Sequence, residues 1–419
     1  MNRCLPDDWF LLPHELKLQE AHAHALASAG ILSSKECEVL CSALGKIRRE
    51  YADAACPASE AEDIHTWIES QLVERTGEAG KKIHTARSRN DQVATLLKLY
   101  VIEAGKRLSD QLRGLVKTAC RRAKDWSELV FPLQTHTQFA APGTVGFWML
   151  RYAASWDRVR RRSESFVSLW RRYCPLGSGA AAGSSIPIDR MIQATRLDFE
   201  SPSPNALDST STRDECLELL WLASQTALHL QSLATDVILF SQTPLGWTRY
   251  PRAFGTGSSM MPNKTNPDAM ELLRGECNAI LASPQQAVVL LKGLPSGYQR
   301  DLQCIKPLVR DIAEKLKQLC TMTEAFLEQL DFSDDRLKAS LSMGGIGATL
   351  RMEEKVSGGA PLREAHHMVA AELAKQGTEQ DGVDSSSVNA YQTAGSASPA
   401  QTRRMADKLS ADQEISCCP

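Results

Sequence analysis

The stretch Asp91–Val116, DQVATLLKLYVIEAGKRLSDQLRGLV, decides how this chain is read. Val93, Leu96, Leu97, Tyr100, Val101, Ala104, Leu108, Leu112 and Leu115 return at the three- and four-residue spacing of one helix face. The same rhythm runs through STRDECLELLWLASQTALHLQSLATDVILF from Ser211. There Leu217, Leu220, Ser224, Ala227, Leu228, Gln231, Ala234 and Ile238 share a broad face of small and apolar residues, as expected where helices pack closely from several sides. Ser211 with Asp214 three residues on reads as a capping box. A third helical segment covers roughly 267–294.

Working outward, the helical runs are separated by CPASEAED from Cys56, PLGSGAAAGSSIPIDR from Pro175, SPSPNALDS from Ser201 and TGSSMMPNKTNPDAMELLRGE from Thr256. Long helices with this Gly/Pro/Ser punctuation, no βαβ rhythm and no strand alternation of useful length predict an all-α bundle. After about Phe332 the helical segments shorten. From Gln376 the composition turns polar and Ser/Gly-rich, which reads as a small terminal domain with loose loops.

The chain has 419 residues, 43% hydrophobic and 23% charged, with a formal net charge of −2. That is room for two or three globular domains and gives no global sign of a nucleic-acid or acidic-lipid partner. The basic run RVRRRSESFVSLWRRY, Arg158–Tyr173, reads as a solvated helix face. No run approaches the ~18 apolar residues of a membrane span, and MNRCLPDDWFLLPHELK carries no secretory apolar core. A cytoplasmic location follows as the expectation. The 12 cysteines are scattered, with no C-x-x-C and no Cys/His set at zinc-ligand spacing, so no metal site is expected. Cys37 and Cys41, one helical turn apart, read as small core residues; Cys417 and Cys418 sit on a tail.

Four blocks carry possible chemistry. In the stretch from Thr256, a serine hydroxyl is a poor base until something stabilises its alkoxide. Lys264 and the N-terminal amides of a helix starting near Pro267 supply that beside Ser258 and Ser259. Gly255 and Gly257 let the loop swing, and Lys264 with Asn266 makes a carboxylate clamp. In LQTHTQFAAPG from Leu133, Thr135 and His136 sit near the edge of a helical segment, and Glu271 is the candidate to orient the histidine. In KKIHTARSRNDQVA from Lys81, Asn90 or Asp91 caps the long helix, or that helix start and its arginines form an anion site. LPSGYQRDLQCIK from Leu294 offers Tyr298, Gln303 and Lys306. Each block alone also has a plain structural reading as linker, capped helix or surface.

Together and in this order, the blocks resemble the fumarase/aspartase superfamily. The run from Gly257 to Asn266 is similar to its Gly-Ser-Ser-x-Met-Pro-x-Lys-x-Asn signature. HTARSRNDQVAT, EDIHTWIE, PLGSGAAAGSSIPIDR, NALDSTSTRD, KGLPSGYQRDLQ and PLREAHHMV look like argininosuccinate lyase and its lens relative δ-crystallin, a likeness running from about Asp8 to Lys375. The resemblance implies a three-domain all-α fold whose central long-helix bundle assembles into a tetrameric core. The expected boundaries are 1–86, 87–335 carrying the signature loop 256–268, and 336–419. It implies reversible elimination of fumarate from argininosuccinate, leaving arginine, without metal or organic cofactor. Ser258 matches the base, Lys264 and Asn266 the groups facing the doubly charged intermediate, and His136 with Glu271 the acid/base pair. Asp8, His65, Ser88, Arg89, Asn90, Thr135, Tyr298, Gln303 and Lys306 match substrate-binding positions. Three separated regions of three subunits meet at one site in that superfamily, which implies a homotetramer.

The departures concern the surroundings of the site. The family's initial Trp-Gly-Gly-Arg-Phe segment is absent. Cys4 stands where the family has a serine four residues before an aspartate, here Asp8, and a thiol is the weaker donor. Leu133–Gln134 replaces Gly-Tyr, and Ser211-Thr212-Arg213-Asp214 replaces Ser-Asp-Arg-Asp. Ala86 replaces a glycine, which is awkward if the backbone there needs positive φ. Two other expectations are therefore carried: a fumarate-releasing lyase for another N-substituted aspartate, and a catalytically silent, crystallin-like relative.

Overall fold

The computed structural model describes residues 3–376, 383, 384 and 386–415; Cys417 and Cys418 lie outside them. The long helices, in chain order, are α1 (Leu12–Ser28), α2 (Ser34–Glu50), α3 (Ile64–Thr76), α4 (Arg89–Asp125), α5 (Val145–Trp170), α6 (Asp214–Phe240), α7 (Asp268–Leu291), α8 (Ile305–Gln329), α9 (Leu362–Gln376) and α10 (Pro399–Ile415). The all-α expectation holds. The chain forms two compact units, one from Met1–Leu108, Arg162–Ser224 and Ala282–Lys315, the other from Ser109–Arg161, Gln225–Leu281 and Leu316–Pro419.

In the first unit, Leu16, Leu18 and Leu26 of α1, Leu40, Leu44 and Ile47 of α2, and Ile64, Ile68 and Leu72 of α3 are buried. Each fully buried side chain of this size stabilises by roughly 1.5–3 kcal/mol. Local signals set the helix starts. Ser33 and Glu36 close a capping box ahead of α2, and Asp63 Oδ1 accepts the Thr66 amide at 2.7 Å ahead of α3. Every apolar position predicted along α4 is buried. At Gly105 on that helix a Cβ would stand 2.6 Å from the Phe166 ring, so glycine lets α5 approach.

Two details differ from the sequence reading. Ser211 and Asp214 form no capping box. Ser211 ends a short helix, Ala206–Ser211, and its hydroxyl donates to Leu207 O at 2.7 Å. On α6, Leu228 is exposed while Leu219, Leu230, Leu233 and Val237 are buried.

The second unit contains what the sequence hid. Strands β1 (Val130–Thr135) and β2 (Gln138–Thr144) pair as an antiparallel hairpin, so Thr135 and His136 are not at the edge of a helix. Val130, Phe131 and Pro132 are buried in succession, so no alternation betrays the strand. A short apolar run of this kind cannot be told from a buried helix segment by period alone. Phe131 anchors the hairpin, with ring centroids 5.2 Å from Phe240 and 5.4 Å from Trp247. A smaller hairpin joins β3 (Thr256–Gly257) to β4 (Thr265–Asn266) and feeds α7. After Phe332 come the short helices Asp334–Ser340 and Ala348–Ser357, then α9. Of the polar stretch expected to form loose loops, residues 377–382 and 385 lie outside the described residues and the rest holds one short 3-10 turn, Ser387–Ala390; α10 follows it, with Thr402 and Ala406 fully buried.

Candidate active site

The second unit carries Thr135, His136, Ser258, Lys264, Asn266 and Glu271. His136 and Thr137 form the two-residue turn between β1 and β2, at φ 54° and 60°. Two consecutive positive φ values are the geometry of a tight hairpin turn whose usual residues are Asn and Gly. A β-branched threonine there is strained by roughly 1–3 kcal/mol, and such strain collects at working sites. The turn holds His136 out into solvent. Leu133, in place of the family's glycine, lies over Gly143, where a Cβ would meet its side chain at 2.6 Å. Gln134 is exposed beside a register irregularity.

The signature stretch is a hairpin tip. Ser258 Oγ accepts the amide N–H of Met261 at 3.0 Å and of Met260 at 3.3 Å. Amide donors aimed at one oxygen favour its electron-rich form, which an alkoxide base requires. Asp268, the first residue of α7, latches the base of the hairpin: its Oδ2 accepts the Thr256 amide at 2.8 Å and hydroxyl at 2.6 Å. Those bonds hold Asp268 below the usual carboxylate range. Gly255, expected as a hinge, also meets a packing need, since a Cβ there would stand 2.8 Å from Asn266 O. Lys264 is exposed near the tip and Met260 is 88% exposed. Glu271 is exposed on the first turn of α7. Among the described residues no hydrogen bond joins its carboxylate to the His136 imidazole.

The first unit carries Asp8, His65, Ser88, Arg89, Asn90, Tyr298, Gln303 and Lys306. Lys306 Nζ donates to Asp8 Oδ1 at 2.8 Å, with the two side chains 4% and 1% exposed. Cys4 Sγ donates to Asp8 Oδ2 at 3.0 Å. Burial and then the Asp8 carboxylate push the Cys4 thiol up to about 12, so it stays a neutral donor. Tyr298 and Gln303 are half-buried. Burial raises the Tyr298 hydroxyl as well, against the pull of Arg213 and Arg300.

His65 is wholly buried, its Nδ1 2.9 Å from Glu15 Oε2. Gln19 donates to Glu15 Oε1 at 2.6 Å, and Arg87 donates to Gln19 at 2.8 Å. Burial would raise the Glu15 carboxyl, but His65 and Arg87 carry it below its ordinary value. His65 Nε2 is buried and has no hydrogen-bond partner among the described residues. Arg89 is tied to Glu69 at 3.3 Å and Asp63 at 3.5 Å.

At the start of α4, Ser88 caps the helix: Asn90 N–H donates to its Oγ at 3.3 Å, and its own N–H donates to Asp91 Oδ1 at 2.9 Å. Asn90 does not cap; its side chain donates to Ala180 O at 3.2 Å. The other Asp91 oxygen accepts the amides of Gly177 at 3.0 Å and Gly179 at 2.9 Å, pinning the Gly-rich loop to the helix start. Burial pushes Asp91 up to about 6 despite these donors.

The sequence offered Asp91 as a cap of the long helix but did not show its hold on the Gly-rich loop, and Arg213, also in a quoted block, was missed altogether. Arg213 is fully buried, and its Nε and Nη2 have no hydrogen-bond partner among the described residues. It lines a cavity of about 340 Å³ together with Thr212, Asp214 and Ser296.

The model of the family described as Lyase matches residues 9–282, which sets the class as a lyase. Argininosuccinate lyase of Koribacter versatilis (strain Ellin345) is 39% identical over 371 residues, covering 88% of this chain and 79% of that one. That of Legionella pneumophila subsp. pneumophila (strain Philadelphia 1) is 36% identical, covering 89% and 91%. The chain belongs to the argininosuccinate lyase family. Among solved structures, EDDS lyase in complex with formate matches with a TM-score of 0.82 at 20% identity over 97% of this chain and 86% of that one. Class II fumarase from Schistosoma mansoni matches with a TM-score of 0.70 at 18% identity over 88% and 90%. These two show a shared fold.

Proposed function

We propose that the protein is an argininosuccinate lyase, cleaving argininosuccinate reversibly to fumarate and arginine with Ser258 as the base. Alongside the family relation, the observation that carries this reading is the Ser258 oxygen receiving two amide donors at an exposed hairpin tip. Ser258, as alkoxide, takes the Cβ proton of the succinyl unit. The electron pair left behind delocalises into the adjacent carboxylate, and Lys264 and Asn266 face the charge that develops. As that pair forms the C=C bond of fumarate, the C–N bond breaks. His136, oriented by Glu271, protonates the leaving guanidino nitrogen. Thr135 and the first-unit residues Asp8, His65, Ser88, Arg89, Asn90, Tyr298, Gln303 and Lys306 hold substrate or support the groups that do.

His136 and Glu271 stand exposed and unjoined within one chain, which supports a site completed by other copies. Trp221 and Leu228 on α6 are 59% and 51% exposed, and Leu272 and Val289 on α7 are 67% and 63% exposed. Apolar exposure on long helices supports a homotetramer that buries them. The working assembly is thus a cytoplasmic homotetramer with composite sites, with domains 1–86, 87–335 and 336–419. No helix among the described residues is long and apolar enough to cross a membrane.

One observation favours a second reading, a lyase for another N-substituted aspartate: Cys4 stands in the serine position and its thiol is engaged with Asp8. Fumarate release is compared on argininosuccinate, adenylosuccinate, aspartate and malate. The proposed function requires argininosuccinate to be the fastest, and preference for another member of the panel selects the second reading. Silence on all four, with the protein folded, selects a crystallin-like relative. Cys4→Ser is expected to lower KM for argininosuccinate with kcat little changed, because a hydroxyl donates more strongly than a thiol.

A further inference from the structure

Cys37 and Cys41 lie on successive turns of α2, and the fold brings His24 of α1 against both. His24 Nδ1 is 3.7 Å from Cys37 Sγ and His24 Nε2 is 3.7 Å from Cys41 Sγ. One ligand atom from each residue can be chosen so that all three lie within 4.8 Å of one another. Both cysteines are free thiols. Cys37 is buried, while Cys41 and His24 are part-exposed, so a route from solvent exists. From Zn–S distances near 2.3 Å and Zn–N near 2.0–2.1 Å, tetrahedral geometry sets neighbouring S and N ligands about 3.6 Å apart. Each sulfur–nitrogen approach has that span, but through a different ring nitrogen; a single ion uses one of them, and the remaining ligand atom lies within the 4.8 Å limit.

We propose that His24, Cys37 and Cys41 form a binding site for a thiophilic d10 cation of the Zn2+ class, with water as the fourth ligand, clamping α1 to α2. Cys2His sets suit such an ion, since thiolate and imidazole are its preferred donors. Binding releases the two thiol protons to solvent and leaves the oxidation state of metal and sulfur unchanged. Burial raises both thiols, Cys41 to about 12, while the contact between them raises Cys41 and lowers Cys37. The charge of Arg196 also acts on His24 and both cysteines and opposes a cation. Two thiolates outweigh that single charge, and Glu20 adds a negative one on the same three groups. The site is separate from the proposed chemistry, and none of its members acts in that reaction.

The test is a Cd2+ titration of the full-length, reduced, metal-stripped protein, followed by the ultraviolet sulfur-to-cadmium charge-transfer band. One equivalent should saturate a band of two-thiolate intensity. Cys37→Ser/Cys41→Ser should lose that band, and His24→Ala should keep it while binding on the order of tenfold more weakly or worse. Equal bands in the parent and the double variant overturn the proposal. Should the double variant fail to fold, iodoacetamide labelling of the parent protein decides. Added Zn2+ should slow modification of Cys41 about tenfold or more while exposed Cys304 labels at an unchanged rate. Cys41 labelling equally fast with and without Zn2+ overturns the site, whatever the fate of the lyase reading.

Discussion

In the first unit, Lys306 lies against Asp8 and His65 against Glu15 with almost no water contact. In the second, His136 and Lys264 stand in solvent on two hairpins, and among the described residues no ion pair or hydrogen bond joins them to one another or to Glu271. The first group has its charges balanced inside one chain. The second is held by the hairpins beneath it: positive-φ turns, strand register, amide donors and the Asp268 latch on Thr256. Charged groups can be kept in place in either way, but the energetic consequences differ. Disturbing the first group should cost stability as well as activity, and disturbing the second should cost activity alone.

The largest expected stability effect is at the buried ion pair. Lys306→Met leaves Asp8 charged and uncompensated, at a cost of about 3–5 kcal/mol in urea unfolding; Asp8→Asn in the same chain should recover most of it. Lys264→Met should change stability by no more than about 0.5 kcal/mol. Equal losses at the two lysines would break the comparison.

Next comes Glu69, which sits beneath His84, Arg87 and Arg89. Burial alone would raise its pKa, yet the His84 hydrogen bond and the two guanidinium groups carry it down to about 2. A depressed carboxylate adds stability that is complete above its unfolded value near 4.5 and is lost as pH falls through about 2. Glu69→Gln should therefore cost on the order of 2–3 kcal/mol at pH 7, with the gap to the parent closing below about pH 4. A gap independent of pH would place the loss in packing.

The smallest effect is a gain. Ala86 has φ 63°, the left-handed backbone that its replacement of a glycine had suggested. Ala86→Gly should raise the unfolding free energy by about 1 kcal/mol, measured by urea or thermal denaturation. A loss of stability would show that the strain is relieved elsewhere.

That agreement at Ala86 shows what a sequence exposes. A residue's fit to a backbone conformation is a local property, as is the helix period that located α4 and α6. The hairpin around His136 was hidden because its first three residues are all buried and its turn is built from His and Thr. Neither alternation nor an Asn-Gly turn was there to be seen. The Ser211 capping pattern was present but lost to a competing local bond, the hydroxyl's return to Leu207 O. Partners distant in the chain were the least legible. Nothing local announces that Lys306 meets Asp8, that Glu15 meets His65, or that His24 meets Cys37 and Cys41.

The most direct measurement is fumarate release from argininosuccinate by the parent protein and by Ser258→Ala, with the thermal midpoint of each. The parent should turn over, and the variant should lose about 10²–10⁴-fold in kcat while melting within a degree or so of the parent, because the serine's bonds lie at an exposed tip. A variant that retains parental kcat would contradict Ser258 as the base. A variant that loses activity only by melting several degrees lower would contradict the division between the two groups.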